Sequence, residues 1–135
     1  MRKMGNRYMY SATDLVNYVA CPHITALDRR AFHEELVKAE KDEQSALITA
    51  KGDEHEKRLL ASLKASGKTL IEVPKIPGAS PQEEALQTHE ILRDGYDYVY
   101  QAAFCDETFT GYADFLVKVD KESKLGNFSY EVIDS

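Results

Sequence analysis

The sequence predicts an α/β domain: N-terminal helices followed by a mixed sheet with helices packed on it. Three observations carry the prediction. The chain has 135 residues, the size of one domain. Its hydrophobic content of 43% and charged content of 30% suit a folded protein with a modest core rather than a disordered chain. After Gly95 the apolar residues change from helical spacing to strict alternation, so helices, a strand and a helix are followed by a run of strands. The domain spans 1–135, with a helical part over about 10–67 and a sheet part over about 68–135.

Each element has its own signals. In "YSATDLVNYVACP", Ser11 is a candidate N-cap with Asp14 three residues on, and Leu15, Val16, Tyr18 and Val19 are the apolar face. Pro22 ends this helix or opens the next. "HITALDRRAFHEELVKAEK" predicts a second helix with Ile24, Leu27, Ala31 and Leu36 at helical spacing. "DEQSALITAKGDEHEKRLLASLKASG" predicts a third, with Leu47, Ile48, Leu59, Leu60 and Leu63 as apolar positions and Gly67 as the stop. Gly52 inside it costs about 1 kcal/mol against alanine, and a close approach of another backbone would explain it. "KTLIEV" is a short strand before a Pro/Gly loop. In "SPQEEALQTHEILRDG", Ser80 caps, Pro81 opens, Glu83 and Glu84 fill the first turn and Gly95 ends the helix. "YDYVYQAAFCDE" and "TFTGYADFLVKVD" predict two strands joined by a tight turn near Asp106 and Glu107, and "FSYEVIDS" a third.

Composition narrows the function classes. No apolar run is long enough to cross a bilayer, and "MRKMGNRYMYSATD" lacks the apolar stretch of a secretory signal. Two cysteines, Cys21 and Cys105, make no disulfide framework, so a reducing, cytoplasmic setting is expected. The net charge of −6 counts mildly against a nucleic-acid partner, although a cation-binding cleft needs local carboxylates whatever the total. No zinc-type histidine pair, phosphate-cradling glycine loop or serine or cysteine nucleophile motif is visible.

Strand alternation singles out two carboxylates. In "GYADFLVKV", Gly111, Ala113, Phe115, Val117 and Val119 share an apolar face, and Asp114 shares the other with Tyr112, Leu116 and Lys118. Asp134 follows Tyr130 and Val132 on one face of the last strand. Carboxylates on partly apolar faces are hydrogen-bonded, paired or metal-bound; the two aspartates either converge on a divalent cation or sit solvated at the sheet rim. His55, one turn after Gly52, is either a ligand or a solvated helix histidine. Cys21 is open to three roles: core thiol, metal ligand or cluster ligand. His23, His33 and His89 lack partner spacing, and Cys105 is read as structural.

The ordered set "YSATDLVNYVACP", "GDEH", "GYADF" and "YEVIDS" resembles the RecB-like branch of the PD-(D/E)XK nuclease superfamily, nearest to the RecB-family nucleases that occur beside or fused to helicases. Nucleases of CRISPR adaptation that hold an iron–sulfur cluster are similar but more distant. The resemblance runs from Tyr10 to Ser135. It implies a restriction-endonuclease-like core and a DNA-repair type of activity, hydrolysis of DNA phosphodiester bonds, with Mg²⁺ or Mn²⁺ as cofactor and DNA, and a helicase, as partners. His55 would be the helix-borne metal ligand, Asp114 and Asp134 the strand carboxylates of metal and catalytic site, and the Ser135 carbonyl a further ligand. Cys21 would be the first of four cysteines around an iron–sulfur cluster. Such a metal orients a water, lowers its pKa and stabilises charge on the scissile phosphate. The family pattern continues Asp-x-Lys, and the lysine falls one residue beyond Ser135. The chain therefore reads as the N-terminal portion of a nuclease domain, incomplete at its C-terminus and inactive alone. The alternative is a non-enzymatic interaction module whose helices and exposed C-terminal edge bind a partner protein or nucleic acid, or pair strands with a second copy.

Overall fold

A computed structural model describes residues 1–40 and 42–133. The order is β1 (Arg2–Met4), β2 (Arg7–Met9), α1 (Ala12–Ala20), α2 (Pro22–Arg30), α3 (Glu43–Ala65), β3 (Leu70–Glu72), α4 (Pro81–Arg93), β4 (Tyr98–Cys105), β5 (Thr110–Val119) and β6 (Ser129–Ile133). The α/β class and the mixed sheet follow the sequence prediction: β3 and β4 are parallel, β5 and β6 antiparallel, and the sheet order is β3-β4-β5-β6. The chain divides into two compact units. One holds Met1–Glu40 and Cys105–Gly111, the other Lys41–Phe104 and Tyr112–Ser135. Helix α3 thus belongs with the sheet.

In the first unit, β1 and β2 form a hairpin that the sequence reading overlooked. Met4 pairs with Arg7 around the two-residue turn Gly5-Asn6, and Gly5 takes φ +58°, which glycine adopts without steric cost. Helix α1 starts as predicted. Asp14 N–H donates to Ser11 Oγ (3.3 Å) while Ser11 N–H donates to Asp14 Oδ2 (2.7 Å), a reciprocal cap. Its predicted apolar face is a correction: Leu15, Val16, Tyr18 and Val19 are all more than half exposed. Asp14 is the buried residue of this helix, and the Met1 ammonium lies 2.6 Å from its Oδ2. Burial pushes the Asp14 carboxyl up, but the ammonium and the Ser11 hydrogen bonds outweigh it and hold the group below its ordinary value. Pro22 opens α2. The predicted second helix, 23–41, stops at Arg30 in a turn, and its later apolar residues find little cover: Leu36 is half-buried, but Phe32 is exposed and Val37 fully so.

The second unit is built on a β3–α4–β4 crossover. Helix α4 carries its full set of predicted signals, with the Ser80–Glu83 capping box, Pro81 in the first turn and Gly95 at φ +75° behind it. It lays Ile91 and Leu92 on Val73, Val99, Ala102 and Leu116, with Tyr96, Ala113, Leu125 and Tyr130 at the margin. Each valine, leucine or isoleucine side chain fully buried here contributes about 1.5–3 kcal/mol. The predicted hairpin is present: Asp106 N–H donates to the Phe109 carbonyl (2.9 Å), and Asp106 Oδ1 accepts from the Thr108 and Phe109 amides (both 2.6 Å). Strand β6 is the edge of the sheet, with Val132 67% exposed.

Candidate functional site

Strand β4 breaks its own alternation. Val99 and Ala102 both belong to the core against α4, although residues three apart on a regular strand face opposite ways. Gln101 resolves this. Its φ is +59°, the one positive value among the described non-glycine residues, and it acts as a bulge that restores Ala102 to the core face. Beyond it the buried Thr88 Oγ1 on α4 accepts the Ala103 amide at 3.0 Å. Tyr100 and Gln101 both turn toward α3: the Tyr100 hydroxyl donates to Glu56 Oε1 (2.5 Å), and Gln101 Nε2 donates to the same oxygen (3.1 Å).

Strand β5 supplies the other side. Gln101 Nε2 also donates to Asp114 Oδ1 at 3.2 Å. One amide group therefore bridges a helix carboxylate and a strand carboxylate. The predicted faces of β5 are corrected at this point. Ala113 and Leu116 both contact the core against α4, while Phe115 is fully buried with its ring 5.0 Å from that of Tyr100. Asp114 is half-buried in a polar cluster, not solvated at a rim.

On α3, Glu56 is half-buried and so are Leu59, Leu60 and Leu63, the positions three, four and seven residues on. That is the inward stripe of an amphipathic helix, and Glu56 is its first member. His55, one residue earlier, is exposed. Leu47 and Ile48, predicted as apolar positions, are exposed too. Gly52 has nothing within 4 Å of where a Cβ would stand, so the expected close approach of another backbone is absent among the described residues.

Burial and hydrogen bonding act in the same direction at Tyr100. The hydrogen bond to Glu56, then burial and the Glu56 charge, push its phenol up from 10.0 to about 12. The folded value lies above the unfolded one, so this stabilisation is complete below pH 10 and is lost as pH rises through about 12. Denaturant midpoints measured across that range should fall, and Glu56→Gln should flatten the fall. An unchanged slope in that variant would mean that Glu56 does not hold the phenol.

The remaining predicted residues divide. Asp134 and Ser135 lie outside the described residues; the printed register of β5 and β6 runs from Val119↔Ser129 to Phe115↔Ile133. Among the described residues, no three His, Cys, Asp or Glu side chains come together as a metal-binding group. The carboxylates of Glu56 and Asp114 do converge, being no further apart than two hydrogen bonds through Gln101 allow. Hard oxygen donors of this kind suit Mg²⁺ or Mn²⁺. Cys21 is a free, exposed thiol between α1 and α2, and Cys105 is free and half-buried at the end of β4. Sequence reasoning missed Glu56, which its spacing to the three leucines could have revealed, and Gln101, which nothing in the strand pattern marks. No protein-family model, curated protein or solved structure matches the chain. No described helix is long and apolar enough to cross a membrane.

Proposed function

We propose that the chain is the N-terminal portion of a metal-dependent DNA nuclease with a restriction-endonuclease-like core, of the RecB-like kind its motif order resembles. The observation that carries this is the bridged pair Glu56–Gln101–Asp114: a helix carboxylate and a strand carboxylate aimed at one point beside a bulged strand. Glu56 and Asp114 would hold Mg²⁺ or Mn²⁺, with Asp134 and the Ser135 carbonyl as further ligands. The bound metal would supply an activated water and charge stabilisation at the scissile phosphate. Glu56 takes the helix-borne role that the resemblance gives to His55, since it is the residue of that turn that reaches Asp114's partner. A single candidate cysteine in this chain, Cys21, can supply one of the four thiolates an iron–sulfur cluster needs, so a cluster requires cysteines from elsewhere. An interaction module would account for the open β6 edge and the exposed Leu47 and Ile48, but not for a half-buried polar cluster.

Mn²⁺ titration of the 135-residue chain, read by calorimetry or electron paramagnetic resonance, tests the ligand set. Asp114→Asn and Glu56→Gln should each weaken binding at least about tenfold, the loss of about 1.4 kcal/mol of interaction, while His55→Ala leaves it unchanged. Loss on His55→Ala but not on Glu56→Gln would return the role to the histidine. No Mn²⁺ binding at all would sink the metal site.

A further inference from the structure

We propose that the first unit holds an unstacked base of single-stranded DNA in the aromatic cavity between α1, α2 and the β4–β5 turn, with the β1–β2 hairpin contacting the phosphates. The cavity measures about 220 Å³ and is walled by Tyr10, Leu15, Tyr18 and Phe109, with Arg29 at its edge. That is below the roughly 300–1,000 Å³ of pockets that enclose whole small molecules, and it suits one flat ring.

The rings are held in place and available. The Tyr10 amide donates to the Thr108 carbonyl and the Thr110 amide to the Tyr10 carbonyl, both at 2.9 Å, which locks the Phe109 turn beside Tyr10. The Tyr10 and Phe109 centroids are 6.3 Å apart. Tyr18 is 52% and Phe109 45% exposed, so each offers ring surface to an incoming base. Aromatic stacking of this kind accepts any base, because every base has a π-face.

Charge decides against the main alternative. Aromatic cavities also bind cations, but here the Arg29 guanidinium already lies 5.4 Å and 5.6 Å from the Tyr8 and Tyr10 centroids and its Nε donates to the Tyr10 hydroxyl at 3.1 Å. The one carboxylate lining the cavity, Asp14, is paired with the Met1 ammonium. Residues 1–30 carry five Arg and Lys against two Asp, the reverse of the chain's net −6. Arg2, Lys3 and Arg7 are exposed on the hairpin, and none of them is in an ion pair among the described residues. A stacking pocket beside unpaired cations is what a single strand requires. The choice of DNA over RNA rests on the nuclease reading; the pocket itself does not.

Fluorescence anisotropy with labelled oligothymidylate, in EDTA to prevent cleavage, tests the proposal on the full chain. Tyr18→Ala and Phe109→Leu should each weaken binding about tenfold, and Tyr18→Phe should restore it. The same oligonucleotide made abasic should bind weakly and be insensitive to all three variants. Replacing Arg2, Lys3 and Arg7 together by Gln should reduce the salt slope by about 2. Equal affinity for the abasic strand, ring variants without effect, or no binding overturns the pocket; tighter binding of oligouridylate overturns the DNA assignment. The Mn²⁺ titration separates the two readings. Base-dependent binding without Mn²⁺ affinity refutes the nuclease and leaves the pocket standing, and Mn²⁺ affinity with base-independent binding does the reverse.

Discussion

Phe115→Ala is expected to destabilise the sheet unit by about 3–5 kcal/mol, the usual cost of emptying a buried phenylalanine site. Phe115 is 0% exposed and sits at the centre of β5, paired to Ile133 on one side and with its ring tilted against that of Tyr100. The vacated space could not close easily, because the backbone around it is held by the β5–β6 register and by the neighbouring Leu116, 3% exposed on the face against α4. A domain of this size has about 5–15 kcal/mol of total stability, so the variant should populate the unfolded state near physiological temperature. The loss should also reach the polar cluster, since Tyr100 holds Glu56. Urea midpoints for Phe115→Ala and for Val132→Ala make a direct comparison. Val132 lies on the adjacent strand but is 67% exposed, and its truncation should change stability by less than about 0.5 kcal/mol. Similar losses for both would mean that Phe115 is not a core residue.

What could be foreseen from the residues follows from how local each cause is. Helix α4 was legible in full because Ser80, Pro81, Glu83 and Gly95 act within one turn of where they sit. The β4–β5 hairpin was legible for the same reason: Asp106 organises its own turn. The β1–β2 hairpin carried a signal too, the Gly5-Asn6 turn, which the basic composition around it obscured. The second helix was overextended because propensity continued past Arg30 while tertiary support did not. The exposure of Leu15, Val16, Tyr18 and Val19 could not be read from spacing, since an amphipathic stripe says which residues share a face and not whether anything covers it. The candidate site divides in the same way. Asp114 stood out by its type and place. Glu56 sits beside the histidine that the motif order singles out, although Leu59, Leu60 and Leu63 mark the inward face that it shares. Gln101 was beyond local reasoning, because a left-handed glutamine inside a strand is held there by its partners, Glu56 and Asp114, and by Thr88 bonding the next amide but one.

Gln101 is therefore where backbone and chemistry meet, and two substitutions should separate them. Gln101→Val places a β-branched residue at φ +59° and removes the bridging amide. The parent glutamine already bears the left-handed strain of a non-glycine residue, about 1–3 kcal/mol, and each of the two hydrogen bonds lost to a charged group costs 1.5–3 kcal/mol or so, so a loss of about 3 kcal/mol or more is expected. Gln101→Gly removes the same bonds but accepts the backbone angle freely, and it should be about 2 kcal/mol more stable than the valine variant. Both remove the amide that bridges the Glu56 and Asp114 carboxylates, two like charges that disfavour each other, while the Tyr100 hydroxyl still donates to Glu56. On the metal reading, a divalent cation would take up the position the amide vacates, and binding to the folded state alone would raise stability in proportion to affinity. Mn²⁺ should accordingly raise the unfolding midpoint of Gln101→Gly by more than that of the parent chain, whose cation has first to displace the amide. Thermal unfolding of the three proteins with and without Mn²⁺ reads all of this at once. If the glycine and valine variants unfold together, residue 101 is not left-handed in solution. If Mn²⁺ raises the parent and the glycine variant equally, the Gln101 amide does not occupy the cation's place.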